Sequence, residues 1–356
     1  MTIQRFVTAE RDPRTRGEEI ARLGAEHVRA NLDGYVRLFR AVGVEDVRLR
    51  EFGTQAADAL AAWRPDLHAE MCGVAAGTGL TEWELGLLNA RTEVLAAVGA
   101  VGEGECSTSV YLPDDGAPRG VQTWDWHDEL DADRLLARYV SDRGLEVRYF
   151  TEFGMLGKIG INDAGLGLHF NILNHSSDSD PIGVPVHAVA RSILDSATTI
   201  AEAVEIADSA SVSASTVLTV LTYDGDRGDA ACIELCPAGH AVVGPEDGLL
   251  VHTNHFVDPE LARGELAPAT ASTYRRYKHV RSLREQVADP DPRRRAEALA
   301  VHEVDGAPVC CHPDPEMTFD QRWESLLTTA LDLEHNRMWF HDGRPCGVRP
   351  ETWHAF

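Results

Sequence analysis

Nowhere does the chain hold a run of about 18 apolar residues, which excludes an ordinary membrane-spanning helix. Its opening residues, MTIQRFVTAERDPRTRG, lack the apolar core of a secretory signal. Basic residues are scarce: 33 Lys and Arg stand against 57 Asp and Glu, a net charge of -24. A surface of that sign repels phosphate backbones and anionic lipid, so neither nucleic acid nor membrane is expected as a partner. The seven cysteines, Cys72, Cys106, Cys232, Cys236, Cys310, Cys311 and Cys346, are odd in number and irregularly spaced. That pattern argues against a disulfide framework, and a reducing cytoplasm is the expected location. Cys232 and Cys236, four apart on one strand face, read as core. Cys310, Cys311, His312 and Cys346 show no repeated C-x-x-C or H-x-x-x-H spacing, so no metal is expected, and no cofactor either. Internal repeats and low-complexity linkers are absent.

The composition that remains, 44% hydrophobic and 25% charged over 356 residues, is that of a chain able to bury a sizeable core. The first hundred residues read as helical. Ile20, Leu23, His27, Val28, Leu32, Val36 and Phe39 recur at three- and four-residue spacing and form one apolar stripe. Thr81-Glu82-Trp83-Glu84 is a capping box that opens a later helix. After three glycines in residues 98–105 the period changes to that of strands. Residues 107–112 and 121–126 flank the turn-rich PDDGAPRG, which predicts a hairpin centred near Gly116. Strands are predicted at 145–152, 157–161, 166–173, 216–223, 230–235, 240–243 and 249–253. Helices are predicted within 185–210, 269–287 and 293–302, and a closing hairpin at 325–333 and 337–341. Helices, then strands, then helices, then strands, with many direct hairpins, predict an α+β fold with largely antiparallel sheets.

Cys106 stands where the pattern changes. A turn centred at Gly116 sets it opposite Trp126, beside Asp125 on the neighbouring strand. Gly102 and Gly104 would let the preceding backbone bend until the sulfur reaches the Glu105 carbonyl. A cysteine freed at a new N-terminus carries its own base, because an α-amine with a pKa near 8 accepts the thiol proton. Local sequence alone leaves a second reading open, in which Cys106 is one more small core residue.

Several ordered runs bear on that choice: Leu88-Asn89-Ala90-Arg91-Thr92-Glu93, Cys106-Ser107-Thr108, Thr123-Trp124-Asp125-Trp126 and residues 160–166 (GINDAGL). They continue with His252-Thr253-Asn254-His255-Phe256, Ser272-Thr273-Tyr274-Arg275, Cys311-His312-Pro313, Met338-Trp339-Phe340 and Gly343, Pro345 and Cys346. Together they resemble the acyl-coenzyme A:6-aminopenicillanic acid acyltransferase family of N-terminal-nucleophile hydrolases, over roughly residues 80–350. The resemblance implies a four-layer αββα sandwich and a zymogen that cuts itself between Glu105 and Cys106. It implies Cys106 as nucleophile, Asp125 as the carboxylate near the site and Asn254 as oxyanion donor. Arg275 would hold charge at the site, and the Thr108 hydroxyl would serve processing. One residue departs from the pattern: glycine is expected before the nucleophile, but Glu105 stands there with Gly104 one step earlier.

The expected activity is transfer of an acyl group from a small amide or thioester to Cys106 and then, preferentially, to water. Residues 1–105 would be a helical segment that stays associated with 106–356 after the cut. Homo-oligomers are left open. Two alternatives are an uncleaved thiol hydrolase using Cys106, His127 and Asp125, and a non-catalytic scaffold that binds a small ligand.

Overall fold

The computed structural model describes residues 3–100, 106–130 and 134–356. Strand β1 (Gln4–Val7) precedes helices α1 (Pro13–Ala41), α2 (Asp46–Trp63), α3 (Pro65–Thr78), α4 (Glu82–Asn89) and α5 (Arg91–Ala97). Helix α1 starts where the Asp12 carboxylate accepts from the Thr15 amide at 2.8 Å, with Pro13 in the first turn. Its stripe buries Ile20, Val28, Leu32 and Phe39, as the spacing predicts, and Tyr35 joins them. Leu23, placed in the same stripe, is exposed beside the kink at Gly24, and His27 and Val36 are only partly covered. The capping box at Thr81 and Glu84 is present at the start of α4. Helices α1 and α3 meet backbone to backbone: a Cβ on Gly17 would lie 2.1 Å from the Glu70 carbonyl oxygen, and one on Gly73 2.0 Å from that of Arg14.

Next come β2 (Ser107–Tyr111), β3 (Arg119–His127), β4 (Arg134–Val140), β5 (Glu146–Glu152), β6 (Ile159–Asn162) and β7 (Leu166–Ile172). Helices α6 (Val186–Ser196) and α7 (Ile200–Asp208) lead to β8 (Thr216–Tyr223), β9 (Gly228–Cys236), β10 (Gly239–Val243) and β11 (Leu249–His252). Helices α8 (Ser272–Ser282), α9 (Arg284–Val287) and α10 (Pro292–Ala298) precede β12 (Trp323–Asp332), β13 (Arg337–Asp342) and β14 (His354–Ala355).

The strands form an eight-stranded sheet, β1-β4-β5-β6-β7-β8-β9-β10, and a six-stranded sheet, β11-β2-β3-β12-β13-β14. Every pairing is antiparallel except β1 with β4. The fold is therefore α+β, as expected. Helices α6 and α7 cover one face of the larger sheet, and α8, α9 and α10 cover one face of the smaller. The remaining faces meet, giving the order helix, sheet, sheet, helix. Strand β3 shows why both of its faces are buried. Val121 packs outward with Val280, Val287 and Ala296. Gln122, one residue on, reaches the Phe170 carbonyl of the facing sheet at 2.6 Å. Among the described residues no helix is long and apolar enough to cross a membrane.

Three details differ from the sequence reading. The first hundred residues are not purely helical, because β1 adds a parallel edge strand to the larger sheet. Strand β4 was not foreseen: RLLARYV is buried on both faces and so lacks polar alternation. The β2–β3 register is also shifted by two, with Val110 paired to Gly120 and Ser107 to Thr123. The connection is pulled outward rather than turning tightly at Gly116. The Leu112 amide bonds the Gly248 carbonyl at 2.8 Å, and Gly116 bridges to Arg227.

The helical unit docks on the strand ends through the run 88–93. Asn89 Nδ2 donates to the Gly154 carbonyl at 2.9 Å, and its Oδ1 accepts from the Leu156 amide at 2.9 Å. Glu93 accepts from the Val186 amide at 2.7 Å. The Arg91 guanidinium lies 3.7 Å from the centre of the Trp126 ring.

Candidate active site

Cys106 immediately precedes β2 and is 4% exposed. Continuing the β2–β3 register carries it level with Trp124, and its Sγ lies 3.7 Å from the Asp125 carbonyl oxygen. The Cys106 carbonyl accepts from Asn171 Nδ2 at 3.1 Å and from Arg276 Nη1 at 2.9 Å. Burial, reinforced by the Asp125 carboxylate, pushes the thiol up to about 12, although Arg276 and Lys158 pull the other way. In the intact chain the sulfur is therefore held as the thiol.

Arg276, on the inward face of α8 with Thr273 and Val280, organises one side of the site. Besides the Cys106 carbonyl it bonds Ser107 Oγ at 3.1 Å, Asn254 Oδ1 at 3.0 Å and Ser272 Oγ at 3.1 Å. Asn254 follows β11. Its amide N–H bonds Thr273 Oγ1 at 2.8 Å and its Nδ2 donates to the Ile172 carbonyl at 2.9 Å. The side chain is thus fixed at both ends, and a second N–H on Nδ2 remains for another acceptor.

Thr108 points into the space between the sheets. Its hydroxyl donates to Asn171 Oδ1 at 2.7 Å, and Asn171 also accepts from Gln122 Nε2 at 3.2 Å. The chain Thr108–Asn171–Cys106 therefore links the start of β2 to β7. Arg275 is placed elsewhere: it is half-exposed and bonds Glu303 at 2.5 Å. Neighbouring residues of a helix lie about 100° apart, so the guanidinium at the site belongs to Arg276 rather than to Arg275. Glu105, the other half of the expected scissile bond, lies outside the described residues.

Below Cys106 sits a buried group of charges. Glu152 accepts from the Tyr35 hydroxyl, pairs with Lys158 Nζ and lies 3.2 Å from Arg91 Nη2. Lys158 Nζ is 3.8 Å from the centre of the Trp124 ring. Burial, with Arg91 adding to it, lowers the Lys158 ammonium to about 7.

His127 meets the Phe319 carbonyl through Nδ1 at 3.3 Å, and its ring lies 4.3 Å from that of Trp323. Burial lowers it to about 4. Among the described residues the sulfur's polar neighbour is the Asp125 carbonyl and that of His127 is the Phe319 carbonyl. The geometry therefore does not bring His127 to Cys106 as a base.

A cavity of about 610 Å³ opens beside this constellation. Leu38, Val42, Leu95, Ile172 and Trp323 give it an apolar lining, and His127, Asn174 and Asp320 contribute polar groups. It reaches the site through Trp126, next to Asp125, and through Ile172, whose carbonyl holds Asn254. The wall residue Ala100 lies six positions before Cys106. Volume and lining suit a small ligand with an apolar portion.

The sequence reading missed Arg276, Asn171 and Lys158. Arg276 carried a signal, because it shares a face with Thr273 and Val280 at three- and four-residue spacing, whereas Arg275 does not. Asn171 also carried one, as a polar residue two positions after His169 on a strand whose alternate residues Leu166, Leu168 and Phe170 are apolar. Lys158 lies in the loop before β6 and carried none.

A family model described as acyl-coenzyme A:6-aminopenicillanic acid acyl-transferase matches residues 113–346. The 40 kDa form of acyl-coenzyme A:6-aminopenicillanic-acid-acyltransferase from Emericella nidulans is 32% identical over 224 residues, which cover 61% of this chain and 60% of that protein. This chain therefore spans less than two thirds of the curated relative it matches. Among solved structures, a penicillin V acylase from Agrobacterium tumefaciens aligns at 15% identity with a TM-score of 0.43, over 67% of this chain and 83% of that one. A Caenorhabditis elegans N-acylethanolamine-hydrolyzing acid amidase ortholog aligns at 12% identity with a TM-score of 0.43, over 64% and 93%.

Proposed function

We propose that this chain, which belongs to the acyl-coenzyme A:6-aminopenicillanic acid acyl-transferase family, moves an acyl group from a small amide or thioester onto Cys106 and then to water. The observation that carries this reading is the convergence of Arg276 on the Cys106 carbonyl and on Asn254. A cysteine kept only for packing needs no guanidinium on its carbonyl and no fixed amide beside it.

In this reading the chain first cuts itself. The thiol attacks the Glu105 carbonyl, its proton passes to the Cys106 nitrogen as that C–N bond breaks, and water hydrolyses the resulting thioester to the Glu105 acid and the free thiol. The freed α-amine then sits on the nucleophile's own residue. A thiol held near 12 in the intact chain gains an adjacent base, and that is the functional gain of the cut. In turnover the α-amine takes the thiol proton while sulfur attacks the substrate carbonyl. The second Nδ2 proton of Asn254 stabilises the oxyanion, a contact worth roughly 10²–10³ in rate. Collapse breaks the bond to the leaving amine, which takes the proton from the α-ammonium. Water, deprotonated by the same amine, then releases the acid and restores the thiol.

Arg276 holds the nucleophile backbone and Asn254 in register, and Thr108 acts through Asn171 on the same carbonyl. Asp125 orients the new α-amine. The acyl portion lies in the cavity bounded by Trp126 and Ile172. Hydrolysis is favoured over transfer because water needs no acceptor site of its own. Fragments 1–105 and 106–356 remain together through the buried contacts of the run 88–93.

Intact-mass measurement on the purified chain and on Cys106→Ala tests the proposal. The wild type should separate into fragments 1–105 and 106–356 under denaturing conditions and turn over an N-acyl probe. Cys106→Ala should remain one chain of 38.9 kDa with no turnover. A Cys106→Ala variant that still cleaves, or that still hydrolyses the probe, overturns it.

A further inference from the structure

The fold gathers four metal-ligating side chains where the loop before β12 meets the turn after β13. His302, Cys310, His312 and Cys346 each offer one ligand atom, and these atoms all lie within 4.8 Å of one another. Cys310 Sγ is 3.4 Å and Cys346 Sγ 3.6 Å from the same His312 Nε2. In a tetrahedral zinc site, with sulfur at about 2.3 Å and nitrogen at about 2.0–2.1 Å from the metal, neighbouring S and N ligands stand about 3.6 Å apart. The two observed separations match that edge.

We propose that His302, Cys310, His312 and Cys346 bind one zinc ion that fastens the loop before β12 to the turn after β13. Two thiolates and two imidazoles form a closed Cys₂His₂ set, neutral once Zn²⁺ is bound and with no open position, which marks a structural rather than a catalytic metal. Softness of the donors favours zinc over magnesium or calcium. The segments being joined need a fastener: residues 302–322 include only two short 3-10 turns, Glu303–Asp305 and Phe319–Gln321. Cys311, between two of the ligands, exchanges hydrogen bonds with Ser325, which is paired to Asp125 on β3. The metal would thus brace the strand that presents Asp125.

Two local contacts must change on binding. Arg344 Nη1 lies 3.0 Å from His312 Nδ1, which acquires a proton once Nε2 takes the metal. Arg344 also lies 3.3 Å from Glu324, and that pair remains for it. His302 Nδ1 lies 3.5 Å from Asp305, a half-exposed contact that ligation can displace or turn into support for the second nitrogen. Sequence spacing concealed the site, because the fourth ligand arrives 34 positions after His312.

The test is metal content and cobalt spectroscopy on the full chain prepared under reducing conditions. The wild type reconstituted with zinc should retain about one ion per chain after gel filtration. Cobalt should give the intense visible bands of a tetrahedral centre with a thiolate charge-transfer band. Cys310→Ser/Cys346→Ser should lose the ion and the charge-transfer band, whereas Cys72→Ser, in the separate His68, Cys72 and Glu82 group, should keep both. Chelation of the wild type should lower its thermal midpoint by more than about 5 °C. The proposal is overturned by a zinc-reconstituted wild type that retains less than about a tenth of an ion per chain. It is equally overturned by cobalt without thiolate charge transfer, or by a double variant that binds metal as the wild type does.

Discussion

Arg276 donates through Nη1 to the Cys106 carbonyl at 2.9 Å, so a helix that begins 166 residues later in the chain fixes the backbone of the nucleophile. The bond is charge-assisted and fully buried, and three further bonds spread from the same guanidinium.

Arg276→Lys keeps the charge but loses the planar fork that spans Cys106, Ser107 and Asn254. Its kcat should fall by about 10²-fold while KM changes little, because the lost contacts position reacting groups rather than the acyl portion. Arg275→Ala, at the surface, should stay within about twofold of wild type. Circular dichroism must show both variants folded. Equal losses in the two variants would refute the assignment.

The two arginines also show what the sequence held and what it did not. Tyr274-Arg275-Arg276-Tyr277 reads as a basic helix, and helix formation there followed from composition. Which arginine turns inward depends on how α8 sits on β2 and β11, and only the spacing to Val280 hinted at it. Cys106 itself was legible because it stands where the helical period gives way to the strand period. Its cross-strand neighbour was harder to read. Hairpin register depends on the connection, and this one is drawn toward Asp226 and Gly248 by bonds that no local pattern encodes. Asn254 was legible only through the resemblance. The ties that make its geometry specific come from two distant elements: Thr273 and Arg276 lie on α8, and Ile172 ends β7.

Glu152 joins three buried partners, Tyr35, Arg91 and Lys158. Burial alone would raise its pKa, but Arg91 and Lys158 outweigh burial and hold it below the usual carboxylate range. Glu152→Gln should leave the Arg91 guanidinium uncompensated and strip Lys158 of its partner, at a cost of about 3–5 kcal/mol in urea unfolding. Glu152→Gln/Lys158→Met should cost less than the sum of the single changes, since the second substitution removes a buried amine that has lost its partner. Strict additivity would show that the pair is not coupled.

His169 donates from Nδ1 to Gln122 Oε1, 3.1 Å away, while fully buried between the sheets. Burial, with a smaller contribution from Arg295, lowers it to about 3, against an ordinary value of 6.5. The unfolded chain therefore binds this proton below about pH 6.5, and the folded chain does not until about pH 3. Stability is lost as pH falls through that window, at up to about 1.4 kcal/mol per pH unit for this one group. His169→Gln should flatten the pH dependence of the urea midpoint between pH 6.5 and 4.5 relative to wild type. Parallel profiles for the two chains would show that His169 titrates alike in both states.

Ala96 lines the cavity from α5, together with Ile172 at the end of β7 and Leu173 just after it. If the acyl portion of the substrate occupies this space, narrowing it must penalise long chains and spare short ones. Ala96→Trp adds an indole without touching Cys106, Asn254 or Arg276. Each methylene that no longer fits costs about 1–3 kcal/mol of transition-state binding. Across a series of N-acyl probes of increasing length, kcat/KM of the variant should match wild type for the shortest and fall at least about tenfold for the longest. A uniform loss at every length would place the acyl group elsewhere and leave the cavity to the amine side of the substrate. The series thus separates the two ends of the substrate before its identity is known.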